Sequence, residues 1–119
     1  MEYYMIVGTY TNTDSKGIYV FNFDSQTGKT TLISTTDGIK NPSYLTISGD
    51  QVYAVSETNG AIPGSLSAYH FDRKKGTLRF LNNLPTGGDD PCYVEADSTG
   101  RFVAVANYSG GSVALFQTG

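Results

Sequence analysis

The sequence has one cysteine, one histidine and no tryptophan, and only 16% of its 119 residues are charged. The lone thiol, Cys92, has no internal disulfide partner, so the chain suits a reducing compartment and reads as cytoplasmic. No stretch approaches the about 18 apolar residues of a membrane-spanning helix. The start, Met1–Val7, has neither the basic residues nor the apolar length of a secretory leader. Basic residues are scarce as well, and the formal net charge is −3. The densest basic run, Arg73-Lys74-Lys75, reads as a solvated turn, so neither nucleic acid nor a membrane is an expected partner.

What is present is glycine and aromatic bulk: 14 Gly, nine Tyr and six Phe. The length holds one ordinary domain. Little charge, many β-branched and aromatic residues and frequent glycine favour short strands joined by turns over helices.

An internal repeat organises the chain. Gly17-Ile18-Tyr19-Val20-Phe21-Asn22-Phe23-Asp24 is echoed by Gly64-Ser65-Leu66-Ser67-Ala68-Tyr69-His70-Phe71-Asp72. Asn41-Pro42-Ser43-Tyr44-Leu45 returns as Asp90-Pro91-Cys92-Tyr93-Val94, and Val52-Tyr53-Ala54-Val55-Ser56-Glu57 as Val103-Ala104-Val105-Ala106-Asn107-Tyr108. The period is about 47 to 51 residues, the length of a β-propeller blade of four antiparallel strands. In the complete unit the strands are expected at 43–48, 51–57, 65–71 and 77–81, with Gly49-Asp50 as a tight turn. Met5–Tyr10 aligns with a second strand, and 111–116 with a third. The expected order is therefore 2-3-4, 1-2-3-4, 1-2-3: about two and a half blades of an all-β propeller domain over 1–119. They divide into a partial blade 1–38, a complete blade 39–85 and a partial blade 86–119. Closing a ring takes typically four to eight blades. The remaining blades are expected from a missing part of the chain or from another fragment.

These landmarks also carry a family resemblance. Val7-Gly8-Thr9-Tyr10-Thr11, Gly17-Ile18-Tyr19, Asn41-Pro42-Ser43-Tyr44-Leu45, Tyr53-Ala54-Val55 and Glu57 stand in order. Asp90-Pro91-Cys92, Gly100-Arg101-Phe102 and Ala106-Asn107-Tyr108-Ser109-Gly110-Gly111-Ser112-Val113 follow them. The chain resembles the seven-bladed propeller lactonase family, whose named activity is 6-phosphogluconolactonase. The resemblance implies a ring of seven blades and hydrolysis of 6-phosphoglucono-1,5-lactone in the oxidative pentose phosphate pathway. It also implies a small sugar lactone as partner and no cofactor. Residues 1–119 alone are expected to be inactive. The alternatives are a related propeller acting on another lactone, such as a muconolactone, and a non-catalytic binding or scaffold module. Family members commonly carry histidine after the Pro-Cys pair, where this chain has Tyr93.

Strand direction puts the loop before strand 1 and the loop after strand 2 at one end of each blade. Asn41, Pro42, Tyr44, Glu57, Asn59, Asp90, Tyr93, Asn107 and Tyr108 should gather there, at the mouth of the channel, with Thr9 and Tyr10. Lactone opening needs an activated water and donors for the oxyanion. Glu57 is the carboxylate directly at a strand 2 terminus and the catalytic candidate; otherwise it orders its loop. Asn107 and Tyr108 either donate to substrate hydroxyls or, for Asn107, satisfy turn backbone groups. Tyr10, Tyr44 and Tyr93 either line a sugar-binding channel or pack between blades. His70 lies well out from the channel and forms no dyad with Cys92. Asp89-Asp90 lacks further ligands at calcium-loop spacing, so no metal is expected. Only Lys16 and Lys40 lie on the mouth side, too few for a phosphate site.

Overall fold

Ten antiparallel strands and no helix make up the computed structural model, which describes residues 1–119. The first sheet holds β1 (Glu2–Val7), β2 (Ile18–Asp24) and β3 (Thr30–Thr36), in that order. The second holds β4 (Leu45–Ser48), β5 (Gln51–Ser56), β6 (Ser65–Asp72) and β7 (Thr77–Pro85). The third holds β8 (Pro91–Ala96), β9 (Phe102–Asn107) and β10 (Ser112–Gln117). This grouping is a partial propeller of one complete and two incomplete blades, in the strand order read from the repeat. No helix is long and apolar enough to cross a membrane.

The middle blade is packed on both faces, which explains the unbroken apolar run of β5. Val52 and Ala54 point one way, with Tyr69 and Phe71 of β6, onto Ile18, Val20 and Ile39. Tyr53 and Val55 point the other way, with Leu66, onto Val94, Val103 and Val105. Alternate side chains of one strand thus join two separate inter-blade cores. Each fully buried valine contributes about 1.5–3 kcal/mol relative to an exposed one. The strand farther out, β7, is mostly exposed beyond Leu78.

Several strand limits differ from the expected ones. The fourth strand of the middle blade runs to Pro85 rather than ending at 81, because a bulge between Ala68 and Tyr69 absorbs Leu81 and lets pairing continue. A bulge at the matching place, between Val20 and Phe21, absorbs Ile33 in the first blade. The first strand ends at Val7 instead of reaching Tyr10. Gly8 there passes so close to the next blade that a Cβ would lie 2.1 Å from the Pro42 carbonyl oxygen. Thr9 then turns to donate its hydroxyl to the Gly17 carbonyl at 2.6 Å. Ser43 and Tyr44 precede β4 rather than opening it.

The hairpin carrying Arg73-Lys74-Lys75 lies beside the start of β5, at the end of the blade opposite the C-terminal end of that strand. Arg73 Nε meets Asp50 Oδ1 at 2.5 Å, but both side chains are at least half exposed, so the pair adds little.

Candidate active site at the channel mouth

The mouth is built at the seams between blades, where the loop entering each inner strand meets the end of the preceding blade. Asn41 adopts φ 47 and Asp90 φ 55, left-handed conformations that asparagine and aspartate tolerate better than most residues. Each lies one residue before a proline buried in the seam. The turned backbone directs each carbonyl at the following second strand: Glu57 N–H donates to Asn41 O at 3.0 Å, and Tyr108 N–H to Asp90 O at 2.9 Å. Asn41 Oδ1 also accepts Thr11 N–H at 2.8 Å, joining the first blade to the second. Across the next seam, Asp90 N–H donates to Thr58 O at 2.8 Å and Asn59 Nδ2 to Asp90 Oδ1 at 3.0 Å. The Ser109 hydroxyl and the Asn59 amide hold the Asp90 carboxyl below its ordinary range.

Glu57 is the centre of the arrangement. Its Oε1 accepts Tyr10 O–H at 2.8 Å and Ser43 Oγ–H at 2.6 Å, so three loops converge on one carboxylate oxygen. Oε2 takes no hydrogen bond from the chain and is left for an incoming group. The bond to Glu57 raises the Tyr10 phenol above its usual value, and burial and the carboxylate charge add to it. Cys92, the counterpart of Ser43 in the next repeat, lies close enough to contribute a further small rise.

Just before β4 and within β8, the rings of Tyr44 and Tyr93 lie 5.0 Å apart at 33°, forming a half-exposed aromatic shelf. Tyr93 O–H donates to Glu95 Oε1 at 2.8 Å, which raises the Tyr93 phenol. Tyr108 stands free at the rim, 80% exposed.

The structure brings Glu57, Tyr10, Tyr44 and Tyr93 to the mouth and its inner wall, with Tyr108 at the edge. It does not bring Asn107 to a surface. Asn107 is 2% exposed, and its amide hydrogens are committed to Thr86 O at 3.0 Å and Ser112 Oγ at 3.1 Å. It is therefore a loop-fixing residue rather than a donor to substrate. Its place was readable: Val103, Val105 and Asn107 alternate on the inward face of β9. Ser43 and Glu95, both overlooked in the sequence, are needed to hold Glu57 and Tyr93. For Glu95 the signal is its spacing of two from Tyr93 on one strand. For Ser43 there was none, since its bond depends on the seam.

A cavity of about 470 Å³ lies behind Glu57 between the first two blades and does not include its carboxylate. No three His, Cys, Asp or Glu residues are grouped as metal ligands.

Residues 4–119 match the family described as "Lactonase, 7-bladed beta-propeller". A 6-phosphogluconolactonase of Formosa agariphila is 35% identical over 116 residues, covering 95% of this chain and 33% of that protein. The crystal structure of a protein from Bacteroides uniformis, provisionally named a 6-phosphogluconolactonase, superposes with a TM-score of 0.93 at 49% identity. That match covers 99% of this chain and 34% of the other. A periplasmic gluconolactonase of Pseudomonas aeruginosa gives a TM-score of 0.91 at 34% identity, covering 100% of this chain and 35% of that one. The chain spans about a third of the length of the relatives it matches.

Proposed function

Since the chain belongs to the seven-bladed β-propeller lactonase family, we propose that the protein carrying it is a lactone hydrolase. The substrate we assign is a sugar lactone of the 6-phosphoglucono-1,5-lactone type, which would place the reaction in the oxidative pentose phosphate pathway. The observation that carries this reading is the Glu57 carboxylate at the channel mouth. One oxygen is fixed by Tyr10 and Ser43 and the other is free.

In this proposal Oε2 accepts a proton from water as that water attacks the lactone carbonyl carbon. The carbonyl oxygen takes up the negative charge, then the bond from the carbonyl carbon to the ring oxygen breaks. The ring oxygen leaves as a hydroxyl after receiving the proton, and the product is the open-chain acid. Tyr10 and Ser43 hold the carboxylate at a fixed angle, which favours a single approach of the water. The Tyr44–Tyr93 shelf presents an apolar wall to one face of the sugar ring, and the Tyr108 hydroxyl reaches its edge. The cations for a phosphate are proposed to come from the rest of the ring, so residues 1–119 alone should be inactive.

A second reading, a propeller that binds without catalysis, is favoured by Tyr93 standing where relatives commonly carry histidine. Lactonase assays on the full-length protein and its Glu57→Gln variant separate the two. A fall in kcat of at least about tenfold, with the fold intact, supports the hydrolase; general bases typically contribute about 10²–10⁴-fold. A folded parent without activity supports the binder, and an unchanged kcat in the variant removes Glu57 from the mechanism. We also read the protein as cytoplasmic from its lone cysteine. Cell fractionation tests that reading, since the Pseudomonas aeruginosa relative is described as periplasmic.

A further inference from the structure

Behind Glu57, on the opposite side of its backbone, a cavity opens between the first and second blades. Its volume is about 470 Å³, within the range of small-molecule sites. Its walls come from the end of β3, the linker into the second blade, the end of β5, and β6 and β7. Every one of these elements is present with its neighbours, so further blades would not fill the space.

The chemistry of the walls is specific. Eight of the fifteen lining residues are polar or charged, and the floor is a set of hydroxyls: Ser56 and Thr58 are each 6% exposed and Ser67 is 3% exposed. The Asn83 amide bridges Ser65 Oγ at 3.0 Å and Ser67 Oγ at 2.9 Å, fixing both acceptors along one wall. Thr58 Oγ donates to the Pro63 carbonyl at 3.0 Å. The Ser56 hydroxyl forms no hydrogen bond within the chain and keeps solvent access, in a residue that is 6% exposed. Beside this floor, on the same face of the sheet, Phe80 is 57% exposed and stands edge-on to Tyr69, with ring centres 5.8 Å apart. The rim carries one acid and one base, Asp37 and Lys40, so it brings no net charge.

We propose that this inter-blade cavity is a second binding site for a neutral, hexose-sized polyol. Its hydroxyls meet Ser56 and the Asn83–Ser67 wall, and its carbon–hydrogen face covers Phe80. An anion would find a single lysine balanced by an aspartate, and an apolar ligand would strand the hydroxyls of the floor. The site is separate from the channel: Ser56 and Thr58 line it while Glu57, between them in the chain, faces the mouth. It stands whether or not Glu57 is catalytic.

The test is a titration of the full-length protein with D-glucose, followed by saturation-transfer and amide chemical-shift NMR, with D-gluconate as the charged control. Saturable binding is expected, with a dissociation constant on the order of 1 mM and shifts centred on residues 36–40, 56–58 and 83. Asn83→Ala and Phe80→Ala, both at exposed positions, should each weaken it about fivefold, the loss expected for one net hydrogen bond or apolar contact. Glu57→Gln should leave it unchanged. The proposal is overturned by absence of saturation, or by binding indifferent to both wall variants. It is equally overturned by shifts centred on Tyr44 and Tyr93 that vanish in Glu57→Gln. Gluconate binding as tightly as glucose refutes the assignment to a neutral ligand.

Discussion

Replacing Asn41 separates backbone strain from side-chain bonding at the seam that positions Glu57. Asn41 sits at φ 47 and makes three side-chain bonds: Oδ1 accepts Thr11 N–H at 2.8 Å and Thr11 Oγ–H at 3.2 Å, and Nδ2 donates to Glu57 O at 3.2 Å. Asn41→Ala leaves the partly buried Thr11 N–H without its acceptor, at about 1–3 kcal/mol. It also puts a side chain without local polar compensation in the left-handed region, adding about 1 kcal/mol. The total is about 2–4 kcal/mol. Asn41→Gly removes the strain and keeps the lost bonds, for about 1–3 kcal/mol. Asn41→Asp keeps the acceptor for Thr11 but sets its second oxygen against the Glu57 carbonyl oxygen, for about 1–3 kcal/mol. Urea unfolding of the full-length protein measures all three, with unchanged m-values as the condition for comparison. The alanine variant should lose the most. An alanine variant within about 0.5 kcal/mol of the parent, the range of ordinary surface changes, refutes the seam argument. A glycine variant as damaged as the alanine one refutes the strain component.

Three other outcomes follow from the geometry. Gly8→Ala places a methyl group 2.1 Å from the Pro42 carbonyl oxygen, a backbone atom that cannot rotate away. The loss should be about 1–3 kcal/mol, the usual cost of overpacking, and a thermal midpoint equal to that of the parent contradicts the close approach. Tyr10→Phe should remove one phenol that ionises above the ordinary 10.0, seen by ultraviolet titration of phenolate. Because the folded value is raised, the contact with Glu57 contributes below the unfolded value and is lost as pH rises through the folded one; a phenol lost from the ordinary range instead refutes the bond. Asn107→Asp sets a buried carboxyl against the Thr86 carbonyl, which raises its folded pKa. Its destabilisation should be small in acid, grow as pH rises past about 4, and reach about 2–3 kcal/mol near neutrality; loss independent of pH refutes the burial of this side chain.

The blade frame was legible because it repeats: one misjudged strand is corrected by its counterpart, and the landmarks fix the order of all ten. Details that depend on a single strand were less visible. The bulges at Ile33 and Leu81 lie on outer strands with one face in solvent, where the alternation that locates a residue is weak. The end of β1 was misplaced because Val7-Gly8-Thr9-Tyr10 continues as a plausible strand, and only the neighbouring Pro42 carbonyl makes it leave the ladder. The candidate site divided in the same way. Glu57 was visible as a carboxylate at a strand end, whereas Ser43 and Tyr10 reach it from two other loops, and no spacing in the chain encodes that meeting.

The repeat also bears on where chemistry can reside. Both complete seams use one device: a residue with positive φ before a buried proline, whose carbonyl accepts the N–H that follows the next second strand. Identical geometry at successive seams can hold the frame but cannot select one substrate orientation, because it offers the same groups from each blade. Selection requires departures from the repeat. The residue after the second strand is Glu57 in one blade and Tyr108 in the next, and the position two beyond the seam residue is Ser43 in one and Cys92 in the other. Tyr44 and Tyr93, in contrast, agree between repeats and stack as a continuous wall. Exchanging the departing residues, with Glu57→Tyr and Tyr108→Glu in one variant, tests this division. Tyr108 is exposed and Glu57 partly exposed, so the fold should persist while hydrolysis falls by at least about tenfold, since the carboxylate loses the donors that orient it. Activity retained in the exchanged protein would mean that the mouth recognises a carboxylate from either blade, and that the seam of Tyr10, Ser43 and Glu57 does not orient the reaction.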